Sequence, residues 1–162
     1  MNRAVDSRVL LAAILCCGGP RTALADFVFA DGFESPLVVI NEVESNPSPD
    51  FVEFHNATAD WIDVSGWTFT DADPVTPGHV YTFASGTIIP AGGFVVYYET
   101  TDFTFGLGAT DEVHLYDTTG RQRDAFGWTA HAAGVFARCP DAGAFRDVPT
   151  PTAGSSNASA CP

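Results

Sequence analysis

The sequence predicts an all-β chain folded as an antiparallel β-sandwich. Three observations carry this. From residue 37 onward, apolar residues alternate with polar ones in short runs. Gly, Pro, Asn and Asp separate those runs at regular intervals. No window holds a sustained helical period, so the crossover helix that parallel strands need is missing.

The elements follow in order. "LVVINEVE" (37–44) is the first strand, and "SNPSPD" turns. "FVEFHN" (51–56) alternates, with Val52 and Phe54 on one face and Phe51, Glu53 and His55 on the other. "WIDV" places Ile62 and Val64 together, and "WTFT" turns Trp67 and Phe69 inward. "DADPVTPG" (71–78) is a loop, and "HVYTF" and "GTII" are short strands. "FVVYYE" (94–99) is apolar on both faces and so reads as a central strand. "EVHLYD" (112–117) and "RQRDAFGW" (121–128) form a hairpin around "TTG". "GVFARC" (134–139) reads as the last strand, before an irregular tail over 149–162.

The chain opens with a basic stretch (Arg3, Arg8), a short apolar run, and Ala23-Leu24-Ala25. This is the pattern of a secretory signal peptide over 1–25, cut between Ala25 and Asp26. The run is too short to span a bilayer as a helix, and no later run is long enough to anchor the product. Segment 26–36, with Phe27, Phe29 and Phe33 among acids, is a linker or an added edge strand. The domain proper is 37–162.

The formal net charge is −13, and all seven basic residues are arginine. Such a surface repels phosphate backbones, so nucleic acid is excluded as a partner. Without lysine, Schiff-base chemistry, Walker-A loops and Ser–Lys dyads are excluded too. Cys16 and Cys17 leave with the leader. Cys139 and Cys161 remain, and in an oxidising compartment they form one disulfide closing the tail onto the domain. Loop entropy assigns it about 3 kcal/mol. No spacing suggests zinc.

Taken in order, several pieces resemble the lamin tail domain in its bacterial exported form. They are an I-N-E strand (Ile40, Asn41, Glu42), a V-E-F-x-N strand (Val52 to Asn56), and an L/V-S-G-W turn (Val64 to Trp67). An F-x-x-G-x-x-I-P-A-G-G segment (Phe83 to Gly93), a V-x-L-Y-D-x-x-G hairpin (Val113 to Gly120) and a closing aromatic strand (Trp128) follow. "ARCPDAGAF…PTPTAGSSN" resembles the family's ending, with Ala142 where Gly is common. The resemblance implies an immunoglobulin-like sandwich and an interaction module without a shared catalytic set. Gly66, Trp67, Gly93, Gly120 and Trp128 are its expected structural anchors. The rod and basic patch of nuclear lamins are missing, so a nuclear role does not carry over.

Candidate chemistry is sparse. Ser65, His55 and Asp63 have the residue types of a hydrolase triad, and Glu53 shares a strand face with His55. Ser65 lies in a turn and not at a strand-to-helix elbow, so these residues read as scaffold on a solvated face. The four histidines show no metal-ligand spacing. Asp71 and Asp73, flanking Ala72 in an acidic loop, are candidate calcium ligands. Trp61, Tyr97, Tyr98 and Phe105 are candidates for an exposed aromatic platform. Asn56-Ala57-Thr58 and Asn157-Ala158-Ser159 match the glycosylation acceptor pattern. The expectation is a secreted or periplasmic, non-enzymatic binding module whose partner is an unknown protein or an envelope polysaccharide. The runner-up readings are a docking domain for an exported enzyme and a small secreted hydrolase.

Overall fold

Alternating apolar side chains drive eleven short strands to share one interior. The computed structural model describes residues 37–46 and 49–162. The expected signal peptide, its Ala25/Asp26 cleavage point and segment 26–36 lie outside the described residues. In chain order the strands are β1 (Val38–Glu44), β2 (Phe51–Asn56), β3 (Ile62–Asp63), β4 (Thr68–Thr70), β5 (Val80–Thr82) and β6 (Ile88–Ile89). Then come β7 (Phe94–Tyr98), β8 (Asp111–Tyr116), β9 (Gln122–Trp128), β10 (Val135–Cys139) and β11 (Ala144–Val148). Among the described residues the one helical element is a 3₁₀ turn, Asn157–Ser159.

A five-stranded sheet has the order β11-β10-β1-β2-β7, and a four-stranded sheet the order β5-β4-β8-β9. A small ribbon pairs β3 with β6. All named pairings are antiparallel. This is an immunoglobulin-like antiparallel β-sandwich. Its core holds Ile40 and Val43 from β1, Val52 and Phe54 from β2, Phe69 from β4, and Val113 and Leu115 from β8. Phe69 lies at the centre of the aromatic packing, its ring centroid 5.3 Å from Phe54 and from Phe103.

Two expectations about strands are corrected. Among the described residues β7 is an edge strand and not a central one. Its two apolar faces have a different cause: Val95 packs into the main core, while Val96 packs into a second cluster on the sheet's outer side. Alternation reports which faces are covered, not which edges are paired. The second correction is β11, which pairs with β10 after the strand expected to be last.

Backbone conformation explains several small residues. Gly66 has φ +73° and Gly120 φ +79°, a region that favours glycine. At Gly93 a Cβ would approach Pro90 O to 3.0 Å, because the Gly93 N–H donates to that carbonyl across a tight turn. Trp128 is buried and its indole N–H donates to Gly108 O at 2.8 Å. Trp67 is half-buried against the core, with the Arg123 guanidinium over its ring at 5.9 Å. No helix among the described residues is long and apolar enough to cross a membrane.

Candidate functional site

Ser65, His55 and Asp63, the residue types of a triad that the sequence reads as scaffold, do not meet. Asp63 Oδ1 accepts the Ser65 N–H at 2.8 Å, and the Ser65 hydroxyl first and this N–H second hold the Asp63 pKa below its usual value. Ser65 Oγ accepts from Gly86 N at 2.8 Å. His55 lies elsewhere, its ring stacked on Phe94 and its Nδ1 3.1 Å from Gly93 O. In loop 71–79, Asp71 Oδ1 accepts the Asp73 N–H and its Oδ2 lies 2.5 Å from His79 Nδ1. Asp73 Oδ2 accepts from Thr76 Oγ1 at 2.6 Å, which lowers the Asp73 pKa. Among the described residues no group of three His, Cys, Asp or Glu is placed to hold a metal ion.

The expected aromatic platform does not assemble. Tyr97 and Phe105 belong to the core, and burial pushes the Tyr97 hydroxyl up to about 12. Trp61 and Tyr98 remain exposed. The two acceptor-pattern asparagines are likewise buried. Asn56 Nδ2 donates to the carbonyls of Asp60, Ile89 and Pro90. Asn157 Nδ2 donates to those of Asn41 and Arg138. A glycan on either nitrogen is incompatible with this fold.

The outer face of β2 differs most from expectation. Glu53 is 0% exposed and His55 8% exposed, so this face is not solvated. The C-terminal tail crosses it as a strap. Ala153, Ala160 and Cys161 pack with Phe51, Val96, Val135, Ala137 and Val148. The Cys139–Cys161 disulfide fixes the strap's far end. A register shift between Ile40 and Glu42 places an extra residue, Asn41, in β1. Both Asn41 and Glu42 thereby reach the strap. Glu42 Oε1 accepts the Thr152 N–H at 2.8 Å, and Glu53 Oε2 accepts the Gly154 N–H at 2.7 Å. Asn41 Nδ2 donates to Glu53 Oε1 at 2.9 Å and to Asp141 Oδ1 at 3.1 Å. Burial works against ionisation of Asp141, but Ser156 Oγ, the Asn157 N–H and Asn41 outweigh it and hold its pKa below the usual value.

On the opposite side of β11 a groove of about 410 Å³ runs along the seam between the two sheets. Phe126 and Trp128 from β9 and Phe136 and Phe145 from β10 and β11 line it, with His131 and Asp147. Arg146 borders it from edge strand β11, where its register partner Ala137 belongs to the strap-side cluster and where it also lines a hollow with Cys139, Pro140 and Cys161. Phe126 stacks on Phe145 at 3.6 Å. Asp147 is occupied: its carboxylate accepts the Ala133 and Gly134 N–H groups. Arg138 pairs with Asp124, Arg123 with Asp117, and Arg121 is also engaged. Arg146 is therefore the one arginine among the described residues whose guanidinium is exposed without an internal partner.

A family model described as Lamin Tail Domain matches residues 34–130. The chain belongs to the lamin tail domain family. No curated protein matches it.

The match spans β1 to β9, yet the lamin tail domain of this chain does not end there. β10 pairs directly with β1, and β11 with β10, so residues past 130 complete the larger sheet. The family signature also gains a physical meaning. Asn41, Glu42 and Glu53, read from sequence only as signature letters, are the acceptors and donor that hold the strap. Asn56 fastens the β2 end to the turn before β7 through its three carbonyl partners. Neither the strap nor the groove was visible in the sequence. The signal for the strap was the concentration of polar residues in two strands whose neighbours are all apolar.

Proposed function

We propose that this lamin tail domain is an exported, non-catalytic attachment module whose ligand is an envelope polysaccharide bearing anionic groups. The observation that carries the reading is Arg146. In a chain of net charge −13, Arg146 is an exposed guanidinium on edge strand β11, between the aromatic groove and a hollow that it lines with Cys139, Pro140 and Ala158, and it suits an isolated carboxylate or phosphate on a sugar chain. The aromatic rings supply apolar faces for the sugar itself. Two further features support a place outside the cytoplasm: the signal-like residues 1–25 and the disulfide at the strap's end. The non-catalytic reading rests on Ser65, His55 and Asp63, each committed to a separate structural bond.

Retention of the purified protein on isolated bacterial envelopes tests this. Retention that falls at least about tenfold in Arg146→Glu, with unchanged melting, supports the reading. Retention equal in both proteins, or none in either, removes it. Repeating the assay with calcium and with a chelator decides whether Asp71 and Asp73 take part.

A further inference from the structure

Glu42 on β1 and Glu53 on β2 are direct cross-strand partners, and both are 0% exposed. Like charges opposed across a sheet destabilise it, and burial raises that cost. Among the described residues no cationic side chain is bonded to the pair. Their other partners in register, Ala137 on β10 and Val96 on β7, are apolar. The Arg138 guanidinium is turned to Asp124, Ile40 O and Gly143 O. The remaining titratable groups around the cluster are Glu44 on β1, Asp141 before β11 and His55 on β2. The strap residues bonded to the pair, Thr152 and Gly154, do not titrate.

A proton inventory points the same way. Asn157 Nδ2 donates to two carbonyls, so Asn157 Oδ1 is an acceptor, and it lies 2.5 Å from Thr152 Oγ1. Thr152 has a single hydroxyl proton. With that proton given to Asn157, the 3.0 Å approach of Thr152 Oγ1 to Glu42 Oε2 needs a second one. We propose that Glu42 and Glu53 hold one proton between them, seated on Glu42 and donated to Thr152, and that its release unfastens the strap 152–161.

The direction of the titration agrees. Burial raises Glu42 above the usual carboxylate range, and burial with Glu42 and Asp141 nearby pushes Glu53 up to about 7. The larger rise falls on Glu53, yet both its oxygens accept N–H donors, so the geometry seats the shared proton on Glu42, and it leaves as the pair titrates with rising pH. Once it has left, Thr152 faces two acceptors with one proton, and two charges oppose one another under the strap. The disulfide keeps the end tethered, so opening is local and reversible. It would uncover Phe51, Val96 and Val135.

Side-chain carboxyl ¹³C spectra of the intact protein test this, together with the Thr152 and Gly154 amide shifts. At about pH 6 one proton on the Glu42/Glu53 pair is expected, lost with a shared midpoint near neutrality that the amides follow. Glu42→Gln preserves a donor toward Thr152, so its amides should show no midpoint near neutrality. Both carboxyls ionised at about pH 6, or amides in Glu42→Gln that titrate as in the parent protein, would overturn the proposal. If Glu42→Gln does not fold, the carboxyl spectra of the parent protein decide alone.

Discussion

Arg138 donates through Nη2 to both carboxylate oxygens of Asp124, at 3.1 and 2.9 Å, and so ties β10 of one sheet to β9 of the other. The same pair closes the open side of β1. Asp124 Oδ2 accepts the Ile40 N–H, and Arg138 Nε donates to Ile40 O. Among the described residues that half of β1 has no strand beside it there, because β10 pairs only from Glu42 onward. Two side chains thus replace a missing stretch of ladder.

Arg138→Ala should destabilise the fold by about 2 kcal/mol or more, since it strands a half-buried carboxylate and an Ile40 carbonyl. Arg138→Lys should not restore it, because an ammonium cannot reach three acceptors with a planar fork. Urea denaturation of both variants checks this; full recovery in the lysine variant would contradict it.

Removing the disulfide should loosen the strap more than the core. Cys161→Ser is expected to cost up to about 3 kcal/mol. Hydrogen exchange should quicken at Gly154 and Asn157 while Val52 and Leu115 keep their protection. Equal loss of protection everywhere would mean that the strap and sandwich unfold as one unit.

Phe69→Ala should cost about 3 to 5 kcal/mol, the largest effect expected from one core truncation. Phe69 is fully buried and touches six rings, from Phe54, Tyr81, Phe83, Tyr97, Phe103 and Phe105. Thermal melting measures it directly.

Gly66→Ala should cost about 1 kcal/mol, because φ +73° is strained for any residue with a Cβ. The nearest obstacle, the Thr118 methyl at 3.4 Å, is mild, so strain and not overlap sets the figure.

Stability should also fall from mildly acidic to mildly alkaline pH. Burial raises the folded-state pKa of Glu42, Glu44, Asp50 and Glu53 above their unfolded values. Each raised group binds its proton more tightly when folded. Its contribution is present below the unfolded pKa and is lost as pH rises through the folded one. For Glu53 that window runs from 4.5 to about 7. Melting temperatures at about pH 5 and about pH 8 test the sign; a rise toward alkaline pH would contradict it.

The strands were legible where one face meets the core, as in β2 and β8, because alternation records that burial. β11 was not, since in "AFRDV" Phe145 and Val148 stand three positions apart around exposed Arg146 and Asp147, which breaks the period of two. The position of β7 was misread for a related reason: both its faces are covered, one by the core and one by the second cluster. Glu53 and His55 look like a solvated face because the residues that cover them are distant in the chain: Gly154 lies 101 positions after Glu53, and Phe94 stacks on His55 from β7. The groove draws on β9, β10 and β11 together, so no local run of residues announces it.

The central claim is attachment through the seam groove. The most direct measurement is a ¹H–¹⁵N spectrum of the protein titrated with solubilised envelope polysaccharide. The account predicts shifts at the Trp128 indole N–H, at Gly127 and at residues 145–147, absent in Arg146→Glu. Shifts confined to loop 71–79 or to Trp61, or none at all, would contradict it.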